Sequence, residues 1–538
     1  MPARQIYTSQ DARSRLLSGA TKVAKAVAVT YGPGGRNVIM DRFGGLLITK
    51  DGVTVAREVG LADSVENLGC DILKEACIKV NNEVGDGTTT TAVLAQAIIE
   101  EGNKLVVAGG IDPNQLVRGL NEAATKATDF IRQLANEITE QTELERVAML
   151  ASNGDVEVAK NLAEACMAVG RDGTVTIEDG SGVETVLEFH EGMSIEEGPL
   201  SPLFLHNQVE RTIENALVAV IHARLRSVDD VKDLMEVASQ WPNNELVVFC
   251  LTAEGDALTT MTLNDTKGVM KCIAIGAPGV QFRKQEYLED FAALSGATMV
   301  DMNAGMDHRT WKPEWFGSLR RVTTKHRNTT MTALPDADES IQARIVELRA
   351  QEATCTSDYD RDRLKERLAK LSGGMAVLKI GGVTEIAMKE RRARVEDALG
   401  AVRAALRSGV VPGGGTTFLR ASHTLDIPKD PTAKDYGFLV LKRALQKPLK
   451  VIADNTGLDG ATGEVVVNNV VRGWKPVDWE TGEGYDWTGW DATTGEYRDL
   501  SEDPMVMDPT EVAVATIKAA VSVAGTLLTV ETAIVGAK

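Results

Sequence analysis

A glycine–threonine turn near residue 86 has the residue types of a phosphate-binding site. The run Val84-Gly85-Asp86-Gly87-Thr88-Thr89-Thr90-Thr91 leads into a segment with helical spacing of apolar residues. Glycines let the backbone approach a ligand, a helix N-terminus offers unpaired N–H groups, and Mg²⁺ prefers carboxylate and phosphate oxygens. An ordinary Asp/Thr helix cap resembles this pattern, but a cap needs one threonine. Four consecutive β-branched residues are poor helix formers, so the run favours a phosphate site with its own metal ligand.

Two further glycine loops could hold a ligand, although each has a simpler interpretation. Thr30-Tyr31-Gly32-Pro33-Gly34-Gly35-Arg36-Asn37 runs into a strand-like segment, and glycine–proline turns are common. Gly413-Gly414-Gly415 precedes a helical segment, and a flexible linker has the same composition. Neither loop matches a Walker A motif or a dinucleotide fingerprint, which disfavours a P-loop kinase or a Rossmann dehydrogenase.

Asp397 is a carboxylate on a predicted helix. Val395, Leu399, Val402 and Leu406 form one apolar stripe at helical spacing, and Asp397 lies about 200° around the helix from Val395. On spacing alone, Asp397 is a solvated side chain.

The elements that would position these segments fall into three stretches. Residues 1–130 indicate a helix, a hairpin with strands Asn37–Met40 and Leu46–Thr49, and long helices, one of them from Thr88. Between residues 190 and 375, strand-like runs alternate with helical ones, which is an α/β pattern. The last 130 residues return to Ala-rich helix, interrupted by an irregular stretch, Trp474 to Asp508, that holds four of the seven tryptophans.

Composition excludes several classes of protein. The 538 residues suffice for three or four domains at about 150 residues each, and 43% hydrophobic residues exclude a disordered chain. A net charge of −19 works against binding to nucleic acid or to an anionic membrane, so neither is expected as a partner. The six cysteines form no CxxC pair, and no apolar stretch is predicted to reach the ~20 residues of a membrane span.

Five segments resemble signature motifs of group I chaperonins and follow the order of that family. They are Gly32-Pro-Gly-Gly-Arg-Asn, Lys50-Asp-Gly-Val-Thr, Gly85-Asp-Gly-Thr-Thr-Thr, Ala393-Arg-Val-Glu-Asp-Ala-Leu and Gly413-Gly-Gly. The similarity extends over nearly the whole chain.

The resemblance implies a multidomain α+β fold with discontinuous domains. A mostly helical equatorial ATPase domain would comprise residues 1–132 and 409–538, and a small intermediate hinge domain residues 133–189 and 376–408. An α/β apical domain, residues 190–375, would be inserted between them. Gly192 and Gly374 would lie at the upper hinge and Gly409 at the lower one.

The resemblance also implies a site for ATP and Mg²⁺, with K⁺ as a further option. Asp397 and Asp51 would be the catalytic carboxylates, Asp397 orienting the attacking water, and Asp86 would bind the metal. Asp491 stands where relatives usually have asparagine. The residues that would contact the nucleotide are Thr30, Tyr31, Gly32, Pro33, Lys50, Asp86, Gly87, Thr88, Thr89, Thr90, Gly414, Asp491, Ala492 and Asp508.

Client proteins would bind an apolar rim of the apical domain. Lys232 and Thr262 stand where the family has aliphatic residues, and each rim leucine has an ordinary core interpretation as well. The residues expected to bind clients are Leu203, Phe204, Met235, Leu258 and Leu263.

The resemblance therefore implies an ATP-dependent chaperonin that folds unfolded proteins inside a homo-oligomeric ring of seven subunits in the cytoplasm. Its departures from the family indicate a divergent member, for which a viral source and a host-cytoplasm location are one option. The long tryptophan-rich stretch would line the cavity, contact a neighbour or fill a local core. Three alternatives stay open: a holdase or scaffold ring insensitive to nucleotide, a small-molecule ATP-using enzyme, and a chaperonin that works without a co-chaperonin lid.

Overall fold

The computed structural model describes residues 4–42, 45–152, 154–170, 173–180, 182, 184–190, 192–241, 245–279, 282–334, 338–355, 358–372, 375–382, 384–474 and 487–536. The chain divides into two compact units: unit 1 comprises residues 1–164 and 384–538, and unit 2 comprises residues 165–383. Gly374, a predicted hinge residue, and residues 475–486 of the tryptophan-rich stretch lie outside the described residues.

From the N-terminus to residue 169 the described chain is mainly helical. β2 and β3 form the predicted antiparallel hairpin, and the predicted helix from Thr88 is present, so the sequence patterns are confirmed here. The elements are β1 (Arg4–Thr8), α1 (Ser9–Ala28), β2 (Val38–Arg42), β3 (Gly45–Thr49), α2 (Gly52–Glu58), α3 (Ser64–Val84), α4 (Thr88–Val107), α5 (Pro113–Gln133), α6 (Gln141–Ala151) and α7 (Val156–Val169).

Unit 2 alternates strands and helices, as the α/β pattern predicts. Its elements are β4 (Thr174–Asp179), β5 (Val186–His190), β6 (Gly192–Ile195), β7 (Glu210–Leu225), α8 (Asp229–Ala238), β8 (Glu245–Ala253), α9 (Gly255–Thr266), β9 (Lys271–Gly276), α10 (Phe282–Ser295), β10 (Met299–Val300), β11 (Gly317–Lys325), β12 (Asn328–Thr332), α11 (Asp338–Thr354), α12 (Asp358–Ser372) and β13 (Met375–Ile380). Short 3₁₀ turns span Pro202–Leu205, Met302–Ala304 and Pro313–Trp315.

Two sheets organise unit 2. The larger has the strand order β6-β12-β11-β7-β8-β9, with β10 also paired to β7, and the smaller has the order β4-β13-β5. β7, β8 and β9 run parallel. Their apolar residues are almost completely buried, as expected for parallel strands covered on both faces.

The last part of the chain returns to unit 1. Its elements are α13 (Glu385–Ser408), β14 (Val410–Pro412), α14 (Thr416–His423), α15 (Asp435–Ala444), α16 (Lys447–Thr456), α17 (Gly463–Gly473), β15 (Thr488–Asp491), β16 (Glu496–Asp499), β17 (Met507–Pro509), α18 (Thr510–Thr529) and β18 (Thr532–Gly536). β18 pairs antiparallel with β1, with Ile6 opposite Ile534, so this pairing links the two ends of the described chain.

The core of unit 1 contains α18, which corrects one expectation. By length and hydropathy α18 is the one helix in the described residues that could cross a membrane, although no such stretch was expected from the sequence. Its single charged residue between Glu511 and the helix end, Lys518, does not lower the hydropathy enough to exclude it. However, 67% of its most apolar window is buried within the protein, where it packs against α4 and α5.

A smaller apolar cluster lies under the described part of the tryptophan-rich stretch. β15 and β16 form an antiparallel hairpin, and Trp490 on β15 is 1% exposed. Trp490 packs with Leu419, Leu449 and Val466. Of the three roles expected for this stretch, Trp490 therefore serves to fill a local core.

Candidate functional site

The turn between α3 and α4 is built to leave a helix N-terminus open. Gly85 ends α3 with φ +76°, and Gly87 precedes α4 with φ +95°, left-handed conformations that favour glycine. No side chain caps α4. The hydroxyl of Thr88 is buried without a hydrogen-bond partner, whereas that of Thr91 donates to Gly87 O at 2.9 Å. The helix end thus presents a polar group that the fold itself does not satisfy.

The first glycine loop lies against this helix end. The Tyr31 hydroxyl is 2.8 Å from Thr90 Oγ1, and buried Thr30 donates its hydroxyl to Val27 O at 2.8 Å. Asn455 Nδ2 holds the loop by donating to Ala28 O and Tyr31 O, each at 2.9 Å.

The start of α2 reaches the same place. A Cβ on Gly52 would lie 2.3 Å from Thr89 Oγ1 and 3.3 Å from Thr30 Oγ1, so a larger residue there would require the Thr89 side chain to shift. Lys50 Nζ donates to Pro33 O at 3.3 Å. The second and third motifs of the sequence therefore meet the first glycine loop.

Asp51, expected to be catalytic, caps α2. Its carboxylate accepts hydrogen bonds from Val53 N at 3.1 Å and from Thr54 N at 2.7 Å and Thr54 Oγ1 at 2.5 Å. These bonds hold the Asp51 carboxylate in place at the start of α2, and its catalytic role stays a prediction.

Three further carboxylates are held where their charge is disfavoured. The pKa of Asp397 is raised to about 7, mainly by burial and next by the negative charge of Asp51. A hydrogen bond from Asn81 Nδ2 to Asp397 Oδ1, at 3.4 Å, acts in the opposite direction. Burial, then Asp86, raises the pKa of Asp508 to about 7. The Asp86 side chain is exposed in unit 1. Partial loss of hydration and the charge of Asp51 raise its pKa, while the hydrogen bond from Gly87 N lowers it.

This carboxylate cluster fits a cation bound together with a phosphate. In the described part of the chain, no three histidine, cysteine or carboxylate side chains are grouped so that they could hold a metal ion by themselves. A cation at Asp86 would therefore need oxygen ligands from a bound nucleotide. A divalent cation would relieve the electrostatic repulsion among these carboxylates.

The remaining predicted nucleotide contacts surround the third glycine loop. Asp508 on β17 lies opposite Val411 on β14, directly before the loop. Gly414 adopts φ +63° near Trp490 O. Ala492 packs on the same apolar cluster as Tyr31, so these two residues share an apolar surface.

Asp491, expected to contact the nucleotide, is buried and paired with Arg498. Its side chain is 2% exposed, and Arg498 donates to Asp491 Oδ2 from Nε at 3.1 Å and from Nη2 at 2.8 Å. Thr493 N donates to Oδ1 at 2.8 Å. Burial alone would raise the pKa of Asp491, but these hydrogen bonds lower it. The carboxylate is thus committed to the β15–β16 hairpin.

Sequence reasoning missed four residues that organise the site: Gly52, Asn81, Asn455 and Arg498. Gly52 had a signal, because it follows Asp51 in a recognised motif. The other three lie in ordinary helical or strand patterns, and only their contacts in the fold reveal them.

The residues expected to bind clients are only partly exposed in unit 2. Leu203 is 63% exposed and Leu263 is 50% exposed, while Leu258 is half-buried. Phe204 is completely buried and Met235 nearly so, because both pack in the unit 2 core.

Buried polar contacts hold the exposed leucines in place. Arg211 pairs with buried Asp265 on α9 through both carboxylate oxygens at 2.6 Å and also donates to Phe204 O at 2.7 Å. His206 Nε2 is 2.8 Å from the same carboxylate. The turn that carries Leu203 is thereby fixed against α9, which carries Leu263.

Two solved structures share this fold over nearly the whole chain. Both are of the chaperonin gp146 from the bacteriophage EL 2 (Pseudomonas aeruginosa), crystallised in the presence of ATP-BeFx. Crystal form II matches with a TM-score of 0.72 at 22% identity, and form I with 0.65 at 21%, each covering 99% of both chains. This structural similarity shows that the chain has the multidomain α+β chaperonin fold.

The sequence also matches a family model over residues 23–247 and 245–538. That match covers unit 1 from residue 23 onward, all of unit 2 and all of the candidate site residues. The chain therefore belongs to the TCP-1/cpn60 chaperonin family.

Proposed function

We propose that this protein uses ATP binding and hydrolysis to drive the capture and folding of non-native proteins in a ring. Membership of the chaperonin family implies substrate proteins and oligomeric rings. The ATPase cycle, the Mg²⁺ requirement and a seven-membered ring belong to the proposal.

One observation carries the ATPase proposal: the open N-terminus of α4. An uncapped helix end, a buried Thr88 hydroxyl without a partner, and carboxylates whose pKa values are raised by burial and then by neighbouring carboxylates form an incomplete set of interactions. A phosphate would accept hydrogen bonds from the helix end, and a cation would relieve the repulsion. A Mg²⁺ ion bound with ATP supplies charge neutralisation at the phosphates.

Each residue then has a defined task. Asp86 would hold the cation, and Thr88, Thr89 and Thr90 would bind phosphate oxygens through their N–H and hydroxyl groups. Asp397 would orient the attacking water, and its raised pKa suits a group that accepts a proton near neutral pH. Asp51 would keep α2 in place and tune the neighbouring carboxylates.

The base of the nucleotide would meet an apolar surface. Tyr31 and Ala492 pack on one cluster, while the Asp491 carboxylate is occupied by Arg498. We therefore assign Asp491 to supporting the site and not to reading the base.

Client capture would use the apolar rim of unit 2. Leu203 and Leu263 are exposed on neighbouring elements, and burial of apolar surface is non-directional. Such a surface suits a binder of many unfolded chains.

The test is refolding of a chemically denatured client enzyme by the wild type and by Asp397→Ala, each with ATP and with ADP as control. We expect recovery with ATP for the wild type, while Asp397→Ala binds ATP but hydrolyses it 10²–10⁴-fold more slowly, the range typical of a lost general base. Near-normal hydrolysis by Asp397→Ala would remove that residue from the site. Client binding without ATPase activity in the wild type would instead support a holdase.

A further inference from the structure

Gly85, which directly follows α3, and Gly400 in α13 touch through their backbones beside the candidate site. A Cβ on Gly400 would lie 2.4 Å from Gly85 Cα, and a Cβ on Gly85 would lie 2.3 Å from Gly400 Cα. Gly400 is the single glycine in the 24 residues of α13, where glycine weakens a helix. The close approach of Gly85 explains why glycine stands in the interior of this helix, because any side chain there would overlap the Gly85 backbone.

This contact is in register with the contact of Asp397. Asn81 on α3 lies four residues before Gly85, and Asp397 lies three residues before Gly400 on α13. One helical turn from the glycine contact, Asn81 Nδ2 donates to Asp397 Oδ1 at 3.4 Å. The spacing of the two helices at the glycines thus determines whether the Asp397 carboxylate reaches α3.

The C-terminal end of α13 is fixed independently. Asn136 and Val410 exchange backbone hydrogen bonds at 2.9 and 2.8 Å, and Thr510 N donates to Gly409 O at 3.0 Å. Ser408 Oγ accepts from Glu511 N at 3.1 Å. A change at Gly400 would therefore tilt α13 about this end instead of shifting the whole helix.

We propose that the Gly85–Gly400 contact sets the approach of α13 and so positions Asp397 for hydrolysis, a role that rests on the proposed ATPase function. Gly400 is a positioning residue, since its own atoms need not touch the nucleotide. The helix seats fully only because neither residue carries a side chain.

The size of the effect follows from helix geometry. Ordinary contact begins at 3.4 Å, so an alanine at position 400 requires a separation about 1 Å larger than the 2.4 Å available. At 1.5 Å rise per residue, Gly400 lies about 13 Å and Asp397 about 18 Å from Gly409. The tilt would move Asp397 by about 1.3 Å, and a misplacement of this size can lower a rate about 100-fold.

The experiment compares Gly400→Ala with the wild type and with Gly473→Ala. Gly473 ends α17, and its added methyl would meet nothing closer than 3.8 Å, so it controls for a helical glycine-to-alanine change. We expect Gly400→Ala to lower kcat for ATP about 10- to 100-fold with KM changed less than about twofold. Gly473→Ala should change neither. An unchanged kcat, or a change confined to KM, would overturn the proposal.

A cross-link measures the approach of α13 without relying on activity. Asn81→Cys with Asp397→Cys, in a Cys355→Ser background, would place two thiols at the observed contact, while the other native cysteines are buried. A short bismaleimide should join them, and adding Gly400→Ala should lower the yield severalfold while Gly473→Ala does not. An equal yield would refute the tilt.

The outcomes separate this proposal from the proposed function. A wild type without ATPase activity would contradict the function, while the cross-link would still report on the contact. Alanine favours the helix over glycine, so Gly400→Ala is expected to fold if α13 can tilt. Failure to fold, judged by circular dichroism, would show that the contact cannot open and would overturn the proposal.

Discussion

Asp397 occupies a position that disfavours its negative charge. The unfolded chain leaves its pKa near 3.8, whereas burial and Asp51 raise the pKa to about 7 in the folded protein. The folded state therefore holds a proton that the unfolded state releases, and stability falls as pH rises from about 4 to 7. Such a loss of stability is expected for a carboxylate whose charge is balanced only when a cation and a phosphate are bound.

Asp397→Asn should remove that cost in the protein without nucleotide. We expect its Tm to match that of the wild type near pH 4 and to exceed it increasingly up to pH 8. At pH 8 the unfolding free energy of the variant should be larger by about 1–2 kcal/mol, after allowance for solvent screening. Thermal unfolding across this pH range checks it, with exposed Asp459→Asn as the control that should show no such trend. A difference between wild type and Asp397→Asn that stays constant with pH would contradict the assignment of the shift to Asp397.

The sequence identified individual residues of the candidate site where they belong to a motif. Asp86, the threonine run and Asp397 were found from motifs, and the fold brings them into one electrostatic cluster. Arg498 was missed because its pairing with Asp491 depends on the register of the β15–β16 hairpin, which local patterns do not predict. The roles of all the predicted site residues, these included, stay predictions.

The helix α4 is incomplete at its N-terminus in a way that a ligand would complete. Its first turn has an uncapped end and a buried hydroxyl on Thr88 without a partner. A buried polar group without a hydrogen bond destabilises the fold by about 1–3 kcal/mol. The fold accepts this loss at the place where we expect a phosphate.

Thr88→Val should consequently have opposite effects on stability and binding. We expect the Tm without nucleotide to stay equal or rise, and the affinity for ATP to fall about tenfold, the value of one hydrogen bond to a charged group. Calorimetry and thermal unfolding measure both quantities.

Thr91→Val provides the matched control in the same turn. The Thr91 hydroxyl donates to Gly87 O, so its removal should lower the Tm and leave ATP affinity nearly unchanged. Loss of stability in Thr88→Val with unaltered affinity would show that its hydroxyl has a structural partner.

Hydrophobic periodicity predicted the helix α4 and the alternation of strands and helices in unit 2, because a helix with one buried face and a strand buried on both faces leave different apolar patterns in the sequence. α18 was underestimated, since one lysine within a long apolar helix is tolerated when its charged end reaches solvent. The packing of α13 against α3 could not be predicted, because it depends on two glycines 315 positions apart in the chain.

For the whole molecule, the described contacts divide the chain into two units. The candidate nucleotide site lies in unit 1, and the candidate client surface lies in unit 2. The three domains expected from the sequence stay a prediction. Residues 133–164 and 384–408, which are predicted to belong to the intermediate domain, group with unit 1 and do not form a separate unit. Capture of clients and hydrolysis of ATP should therefore be separable by mutation.

Leu203→Asp combined with Leu263→Asp should abolish capture of a denatured client while ATPase activity stays within about twofold of wild type. Both side chains are at least half exposed, so the substitutions alter surface chemistry and not the core. Charges in place of apolar groups remove the burial that drives capture, about 25 cal/mol per Å² of apolar surface.

Val346→Asp is the matched control, because Val346 is 64% exposed on α11 of the same unit. It should retain capture, which is measured by co-sedimentation of a labelled, denatured client with the assembled protein. Phe204→Ala distinguishes surface from support: Phe204 is buried beneath the turn that carries Leu203, so its loss should lower the Tm of unit 2. If Val346→Asp abolished capture and the double leucine variant did not, the client surface would lie on α11, and the carry-over of the apical rim from the family would be wrong for this chain.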